Sequence, residues 1–317
     1  MTEPTSGDGT QRRVAVIYNP IKIGDGLREM INTRAADSGW AEPLWLETTE
    51  DDPGRRMAAD ARAADVDLVI AAGGDGTVRA AVGGLADSGI PLGVVPEGTG
   101  NLLARNLGIP LQEQAAIEVA FEGTERSLDV VAITTDDAPE TDRFAVMAGI
   151  GLDAAIMSNT DSNLKDKVGS LAYVVAATQQ LQRRPRQMRV TVDDHPALER
   201  KAKICLVGNV GAIQGDVELI SGAEPDDGLL DVLVASPKRI RHWIALASRL
   251  ITGKQRAEDR IDQLTGRRVV VELTEPDEYQ LDGDTIGSCR RLVAEIEPGA
   301  LMIRVPEPSG TTTSGTA

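Results

Sequence analysis

The chain has 317 residues, of which 41% are apolar and 26% charged, a composition typical of a globular protein with two domains and not of a disordered chain. It carries 33 basic and 49 acidic residues, and the resulting charge of −16 disfavours nucleic acid as a partner because the protein would repel a phosphate backbone. Only 3% of the residues are aromatic, which also disfavours the stacking platforms that bind single strands.

The scarcity of cysteine and histidine limits the chemistry. Cys205 and Cys289 are too few for a disulfide framework or a four-cysteine zinc site, so we expect buried, reduced thiols. His195 and His242 are the only histidines and cannot form a cluster. The chain has no apolar run long enough to span a bilayer, and its polar start lacks the core of a signal peptide. We therefore expect a cytoplasmic protein without a transmembrane segment.

The predicted elements of the first half alternate between strands and helices. A polar tail at 1–11 is matched by another at 307–317. Short runs rich in β-branched residues occur at 14–18, 44–46, 68–71 and 92–95, separated by Ala-rich helical stretches. This alternation predicts an α/β domain over residues 12–126, with an open parallel sheet that binds a ligand at the carboxyl ends of its strands.

The second half reads as a series of strands with few helices between them. The predicted strands lie at 129–134, 144–148, 188–192, 202–207, 229–235, 268–273, 292–296 and 300–305. Helical segments interrupt the series near 167–182 and 238–252. The pattern predicts a mainly antiparallel β-sandwich domain over residues 127–306.

Two glycine-rich loops follow strands of the first domain. The first, Gly-Gly-Asp-Gly-Thr at 73–77, precedes a predicted helix from Val78 to Leu85. Its glycines leave backbone N–H groups open to a phosphate, and Asp75 suggests that a divalent cation or a ribose hydroxyl is its partner. Taken alone, the loop fits a capped strand-to-helix turn equally well. The second loop, Pro-Glu-Gly-Thr-Gly-Asn at 96–101, repeats the design one strand later, and the pair favours a nucleotide site.

The two loops together resemble the catalytic-domain family of diacylglycerol kinases, bacterial lipid kinases that are related to sphingosine, ceramide and NAD kinases. Further matching motifs occupy residues 18–20, 148–154, 167–173, 208–209, 224–232 and 281–284, so the resemblance extends from Val14 to Val305. It implies that the protein uses ATP and Mg²⁺ to phosphorylate a lipid hydroxyl, with ATP in the cleft between the two domains.

The resemblance also implies a set of residues that contact the nucleotide. They are Asn19, Pro20, Lys22, Thr48, Gly73, Gly74, Asp75, Gly76, Thr77, Thr99, Gly100 and Asn101. Thr49 matches the family pattern less closely than Thr48 does. Lys22 is placed to meet a phosphate, and a solvated loop charge is the alternative interpretation.

A second metal site, separate from the catalytic Mg²⁺, is implied at the acidic turn that precedes the strand at 229–235. Asp227 would supply a carboxylate, and Glu224 and Leu229 would supply backbone carbonyls. Such hard oxygen ligands suit Mg²⁺ in a structural role. An acidic β-turn without metal is the alternative, since Asp-Gly is a strong hairpin signal.

The turn at 282–284 supplies the implied catalytic carboxylates. Asp284 is the expected base that accepts the proton of the substrate hydroxyl, and Asp282 is expected to support it. An Asp-Gly hairpin turn without a catalytic role is the alternative. The family commonly has Glu at the position of Asp284, and the shorter side chain leaves three possibilities: a closer turn, a water that relays the proton, or Asp282 as the base. The family also commonly has Asn-Glu where this chain has Arg79-Ala80 and Asn-Asp where it has Asn101-Leu102, and these two departures bear on the choice of acceptor.

Contact with a membrane is a separate question. Residues 238–260 hold seven basic and two acidic residues, with apolar residues at helical spacing, and a further basic cluster lies at 183–186. The segment predicts either an interfacial helix or an ordinary amphipathic helix that packs on the sandwich.

The leading hypothesis is a kinase that converts diacylglycerol to phosphatidic acid at the membrane surface, peripheral to the inner face. The lipid substrate would be its partner, and a homodimer is left open. One alternative is an NAD kinase, which shares the first glycine loop. The other is a non-catalytic regulator that binds a nucleotide or a lipid, motivated by the altered positions 79, 80, 102 and 284.

Overall fold

The computed structural model describes residues 11–136, 138, 140–151, 184–211, 220, 222–236 and 261–307. The helices in these ranges are α1 (Asp25–Asp37), α2 (Arg55–Ala63), α3 (Asp75–Leu85), α4 (Leu102–Asn106) and α5 (Glu113–Glu122). The strands are β1 (Val14–Tyr18), β2 (Leu44–Glu47), β3 (Leu68–Gly73), β4 (Leu92–Pro96), β5 (Thr124–Thr135), β6 (Asp142–Phe144), β7 (Met147–Ile150), β8 (Arg186–Val192), β9 (Leu198–Ala202), β10 (Ile204–Gly208), β11 (Leu230–Ala235), β12 (Ile261–Gly266), β13 (Arg268–Leu281) and β14 (Asp284–Val305).

The first four strands form the parallel sheet that the sequence predicts. They lie in the order β2, β1, β3, β4, and each neighbouring pair is parallel. The helices α1 and α5 cover one face, while α2, α3 and α4 cover the other, so β3 and β4 are buried on both sides. The chain moves from β1 outward to β2 and then back across to β3. In open α/β sheets this switch point is where ligands bind.

Helix α3 illustrates how the sequence sets the elements. Its apolar residues Val78, Ala81, Val82 and Leu85 recur at helical spacing, and all four are buried against the sheet. The helix begins at Asp75, three residues before the predicted start, with Gly74 as its N-cap. Most of the first glycine loop is therefore the first turn of α3, where the backbone N–H groups have no partner within the helix.

The second half is mainly antiparallel, and its strands enclose a separate apolar core, as expected for a β-sandwich domain. The predicted fold class is confirmed. Some details differ. The strand predicted at 144–148 is divided between β6 and β7, and no strand was predicted over β12 or most of β9. The two strands predicted at 292–296 and 300–305 are parts of the single strand β14, whose register against β5 shifts between Glu297 and Leu301. The Pro-Gly pair at 298–299 lies within this shift, and the strand accommodates it as a bulge.

The two halves are joined through the last strand. The end of β14 returns to the parallel sheet, where Ile303 pairs with Leu92 of β4 in parallel register. Near the same end, β14 pairs with the start of β5. The predicted boundary between residues 126 and 127 falls inside β5, and the domain ranges stay a prediction.

Several sequence predictions fall on residues that the structure does not describe. They are the helices near 167–182 and 238–252, the basic segment 238–260, the motif at 167–173, and all but residues 11 and 307 of the two tails. Within the described residues, no helix is long and apolar enough to cross a membrane. Cys205 and Cys289 are buried and not joined in a disulfide, as expected, and burial raises the pKa of the Cys205 thiol to about 12.

Candidate active site

The loops that the sequence analysis singled out converge at the carboxyl ends of β1, β3 and β4. The backbone N–H of Asn19, just after β1, donates to the carbonyl of Ala72 in β3 at 3.3 Å. The backbone N–H of Glu97, just after β4, donates to the carbonyl of Gly73 at 2.8 Å. The three strand ends are thus bonded into one edge, which is the edge predicted to bind the nucleotide.

The loop after β1 folds back on itself through Asn19. The side-chain oxygen of Asn19 accepts the N–H of Ile21, and its carbonyl accepts the N–H groups of Lys22 and Ile23, each at 3.0 Å. This turn brings the Lys22 ammonium against the first glycine loop, where a Cβ added to Gly74 would lie 2.7 Å from Nζ. The predicted phosphate ligand therefore lies beside the predicted phosphate cradle.

The two glycine loops touch each other. A Cβ on Gly98 would lie 2.8 Å from the Cα of Gly74, a separation too short for any residue other than glycine. A Cβ on Gly100 would likewise lie 2.5 Å from Oδ2 of Asp75. These glycines are required by the close approach of the two backbones, and the backbone surface they leave is open to an anion.

Asp75 joins the two loops. Its Oδ2 accepts the backbone N–H of Asn101 at 2.9 Å, and its Oδ1 accepts that of Leu102 at 2.6 Å. Burial raises the pKa of Asp75, while these two hydrogen bonds oppose the rise. The sequence linked Asp75 to a cation or a ribose hydroxyl. The structure shows that each carboxylate oxygen already holds one backbone donor of the second loop.

The other predicted nucleotide residues also lie along this edge. Asn101 has a left-handed backbone, with φ of +50°, and its side chain bonds both the N–H and the carbonyl of Gly98. Thr48 is buried and follows β2, and its N–H donates to the carbonyl of Tyr18. Thr77 packs under Gly73, whereas Pro20 and Thr99 are exposed. Every residue of the predicted set is therefore at the strand ends.

The turn at 282–284 forms a tight hairpin between β13 and β14. Leu281 pairs with Asp284, and the two residues between them, Asp282 and Gly283, have φ of +47° and +94°. Positive φ at both central residues is the geometry that an Asp-Gly turn favours. The motif therefore forms the Asp-Gly hairpin that its sequence favours, and whether the turn has a catalytic role stays a prediction.

The hairpin points at the first glycine loop. A Cβ on Gly76 would lie 2.9 Å from Oδ2 of Asp284, so the carboxylate rests directly on the backbone of that loop. The Asp284 side chain is 51% exposed, which leaves it accessible to a substrate. A carboxylate from the second half of the chain and a glycine cradle from the first half therefore face each other.

Asp282 has a different environment. It is 4% exposed, its Oδ1 accepts the backbone N–H groups of Val146 at 3.1 Å and Met147 at 2.9 Å, and its own N–H donates to the Met147 carbonyl at 2.9 Å. Burial raises the pKa of Asp282 to about 7, against the opposing effects of the Met147 hydrogen bond and the positive charge of Arg79. Its contacts hold the hairpin on β7.

Two residues of this site were not predicted. Arg79, in α3, places Nη1 3.0 Å from Oδ2 of Asp142 and Nη2 3.7 Å from Oδ2 of Asp284, and its side chain is 11% exposed. Arg79 was noted only as a departure from the family pattern. Asp142, at the start of β6, follows a polar stretch and carries no sequence signal that distinguishes it from a solvated loop acid.

The predicted second metal site lies apart from these residues, in the turn before β11. Oδ1 of Asp227 accepts the N–H of Leu229 at 2.9 Å, and Glu224 is exposed. The buried carboxylate of Asp129 fixes the turn by accepting the N–H of Gly228 at 2.6 Å. Within the described part of the chain, no three His, Cys, Asp or Glu side chains form a group that could hold a metal. The predicted set uses one carboxylate with carbonyls, and it stays a prediction.

The residues at the strand ends fit a Mg²⁺-bound triphosphate. The contact between Gly74 and Gly98 leaves a backbone surface without side chains, and Lys22 supplies a positive charge beside it. Asp284 lies near enough for its charge to contribute to the raised pKa of Asp75, after the larger effect of burial. Two neighbouring carboxylates with lone pairs to spare are the hard oxygen donors that Mg²⁺ prefers.

Comparisons with known proteins give a family match for each half of the chain. Residues 13–133 match the model of the diacylglycerol kinase catalytic domain, and residues 145–305 match that of the YegS C-terminal NAD kinase beta sandwich-like domain. A diacylglycerol kinase of Mycobacterium tuberculosis is 30% identical over 256 residues, which cover 80% of this chain and 81% of that protein.

Two solved structures show the same fold. The crystal structure of a diacylglycerol kinase from Bacillus anthracis superposes with a TM-score of 0.71 at 24% identity, covering 93% of this chain and 97% of that one. An NAD kinase from Archaeoglobus fulgidus in complex with ATP superposes with a TM-score of 0.53 at 12% identity, covering 93% and 94%. The match with each structure extends over both halves of the chain.

Proposed function

The chain belongs to the diacylglycerol kinase family, and from this premise we propose that it transfers the γ-phosphoryl group of ATP to a lipid hydroxyl, with diacylglycerol as acceptor and phosphatidic acid as product. The observation that carries the proposal is the contact between Asp284 and the backbone of Gly76. It brings a candidate base from one domain to a candidate phosphate cradle in the other, as phosphoryl transfer to an alcohol requires.

The nucleotide would lie along the carboxyl ends of the strands. The phosphates would rest on the backbone of the two glycine loops, where the first turn of α3 presents N–H groups without partners. Lys22 would bind a phosphate oxygen, since its ammonium already lies beside Gly74. Asp75 supports the cradle by holding the two loops together through Asn101 and Leu102.

Asp284 would act as the base. Its exposed carboxylate would take the proton of the acceptor hydroxyl while the hydroxyl oxygen bonds to the γ-phosphorus. The bond between that phosphorus and the β–γ bridging oxygen then breaks, and ADP leaves. A positioned base contributes roughly 10² to 10⁴ in rate. Asp282 would not compete for this role, because it is buried and its carboxylate is bonded to the backbone of β7.

Other residues would organise the reaction. Arg79 would hold Asp284 in place through the 3.7 Å contact between Nη2 and Oδ2, and Asp282 would fix the hairpin that presents it. When bound, Mg²⁺ would neutralise charge on the phosphates. The carboxylate oxygens of Asp75 and Asp284 have lone pairs that are not used in hydrogen bonds to the backbone, and these oxygens would hold the ion. The turn at 224–229 would hold a second, structural Mg²⁺, and the lipid would be met at a membrane surface.

The proposal is tested by an assay with radiolabelled ATP and Mg²⁺ against diacylglycerol, sphingosine, ceramide and NAD in parallel. We expect label in phosphatidic acid. Asp284→Asn should lower kcat by about 10² to 10⁴ while leaving nucleotide affinity unchanged. Asp262→Asn is a matched control, because Asp262 lies on β12 and pairs with Arg200 at the surface.

Each alternative gives a different result. Label in NADP instead of a lipid would identify an NAD kinase. Bound ATP with no labelled product would identify a non-catalytic regulator. Full activity of Asp284→Asn, with label in phosphatidic acid, would remove Asp284 as the base while leaving the reaction itself in place.

A further inference from the structure

A cavity of about 650 Å³ lies beside the candidate active site. It is open to solvent on one side and is lined by the amino-terminal end of α2, by α3, by the end of β5 with the residues that follow, and by β13 and β14. Arg79 is part of its wall and also lies 3.7 Å from Asp284, so the cavity and the proposed base share one side chain. Its volume falls within the range of about 300 to 1,000 Å³ that is typical of small-ligand pockets.

One part of the wall is apolar. Ile133, Tyr279 and Ile286 contribute side chains from three strands of the second domain. Ile286 is 37% exposed, although it lies on the same strand as Asp284 and only two residues away from it. The pairing of β13 with β14 shifts at this point, with Gln280 opposite Thr285 and Tyr279 opposite Gly287, so Ile286 is the bulged residue between them and its side chain lines the cavity.

The charged groups of the wall are close to balance, with Arg55, Arg56 and Arg79 against Asp51, Asp52, Glu140 and Asp142, and two of these arginines are paired. Nη1 of Arg79 lies 3.0 Å from Asp142, and Arg55 contacts both Asp142, at 3.3 Å, and Glu140, at 3.4 Å. To bind at Arg55 or Arg79, an anionic ligand would have to displace the carboxylates of Asp142 and Glu140. To bind at those carboxylates, a cationic ligand would have to displace the two arginines. An uncharged ligand with hydroxyl groups can bond to the remaining donors and acceptors without breaking a pair.

Two further observations indicate that the cavity is more than a packing defect. The Nε of Arg79 is buried and has no hydrogen-bond partner among the described residues, an arrangement that is costly and is found where function requires it. Ala80, the next residue of α3, also lines the cavity, and its methyl group leaves space that a longer side chain would fill.

We propose that this cavity is the acceptor pocket, and that it takes an uncharged amphiphile whose hydroxyl lies near Arg79 and Asp284 and whose first apolar segment packs on Ile133, Tyr279 and Ile286. The pocket assignment rests on the proposed kinase function for its connection to Asp284. Ala80 and Ile286 are then the residues that determine which acceptor fits.

The test measures binding and turnover on the same samples. Dihexanoylglycerol, a water-soluble uncharged acceptor, is titrated into the full chain with Mg²⁺ and ADP by calorimetry, and its phosphorylation is followed with Mg²⁺ and ATP. Ala80→Leu fills the cavity from α3, and Ile286→Ser removes apolar wall from β14. Ala115→Leu is the control for the first, as a half-buried alanine on α5, and Leu111→Ser for the second, since Leu111 is also 37% exposed.

We expect Ala80→Leu and Ile286→Ser each to weaken dihexanoylglycerol binding by about 10-fold or more, as small changes in an apolar pocket do. The KM for the acceptor should rise by a similar factor while the KM for ATP stays constant. Wild-type affinity in both cavity variants, or no binding by the wild type, would overturn the pocket. If Ala80→Leu unfolds, Ile286→Ser decides alone.

The two proposals fail in different ways. Binding that depends on Ala80 and Ile286, without any phosphorylated product, would leave the pocket in place and remove the kinase function. Phosphorylation of the acceptor at the wild-type rate in both variants would support the kinase function and rule out this cavity as the acceptor pocket. Dihexanoyl phosphatidylglycerol, an anionic lipid with free hydroxyls, tests the ligand class: we expect at least about 10-fold weaker binding, and equal binding would overturn the assignment to an uncharged acceptor.

Discussion

The backbone N–H of Asn101 donates to Oδ2 of Asp75 at 2.9 Å, and this bond ties together two loops that are 26 residues apart in the chain. A second bond from the Leu102 N–H, at 2.6 Å, occupies the other oxygen. The loops also meet directly at Gly74 and Gly98. The two loops therefore form one rigid unit, and a substitution in either loop should alter the structure of both.

Asp75→Asn should weaken this unit. The two N–H groups bond to different oxygens of Asp75, so in asparagine one of them would face the amide nitrogen, which is not an acceptor. We expect a loss of about 1 to 3 kcal/mol in the free energy of unfolding, since a buried donor loses its acceptor. The KM for ATP should also rise. Thermal unfolding measures the first effect. Asp67→Asn is the control, because Asp67 accepts the Arg13 N–H at an exposed site, and equal losses in both variants would contradict the prediction.

Gly76→Ala should separate the base from the cradle. The added Cβ would lie 2.9 Å from Oδ2 of Asp284, so the carboxylate has to move. A displacement of about 1 Å can cost on the order of 100-fold in kcat. Alanine favours the helix at this position, so the Tm should not fall. Gly26→Ala, in α1, meets no atom within 4 Å and should keep full activity. An unchanged kcat in Gly76→Ala would show that Asp284 need not touch this loop.

Lys22→Gln should lower the affinity for ATP. The ammonium lies beside Gly74, and a charged hydrogen bond to phosphate is worth about 1.5 to 3 kcal/mol, so the Kd should rise by roughly 10-fold or more. Equilibrium binding of ATP, measured at several salt concentrations, checks this. Lys201→Gln changes an exposed lysine on β9 and should have no effect. Equal affinities for the two variants would assign Lys22 to the solvated surface.

Asp282→Asn should remove a pH dependence of stability. The pKa of Asp282 is raised by burial to about 7 in the folded protein, from an ordinary value of 3.8. A raised pKa stabilises the fold fully below the unfolded value, and that contribution is lost as the pH rises to about 7. Wild type should therefore lose stability relative to Asp282→Asn between pH 4 and 7.

The difference in Tm between the two proteins reports this directly. Asparagine keeps the left-handed turn and an acceptor for Val146 and Met147, so the variant should fold. We expect the difference in Tm between wild type and Asp282→Asn to change by about 2 to 4 °C for each kcal/mol of unfolding free energy that the wild type loses as the pH rises. Parallel Tm curves from pH 5 to 8 would show that Asp282 does not titrate in this range.

Much of the fold followed from local pattern. The runs at 14–18, 44–46, 68–71 and 92–95 became β1 to β4 within two residues at each end, because buried parallel strands are short, continuous and apolar. The start of α3 was placed three residues late, since nothing in the periodicity of its apolar face reports that Asp75 takes helical dihedrals. Joining 292–296 to 300–305 depended on β5, whose pairing continues on both sides of the bulge.

The candidate site also has one part that the sequence predicted and another that only the tertiary structure shows. Glycines at 73–77 and 96–101 are a property of the sequence, because only glycine permits backbones to approach so closely, and the residues alone therefore indicated a cradle. The contact between Asp284 and Gly76, the pairing of Arg79 with Asp142, and the cavity beside Ala80 join residues from both halves of the chain. The sequence alone did not predict these three contacts. They depend on how β14 and β5 pack between the two domains, because strand pairing determines which side chains that are far apart in sequence come together.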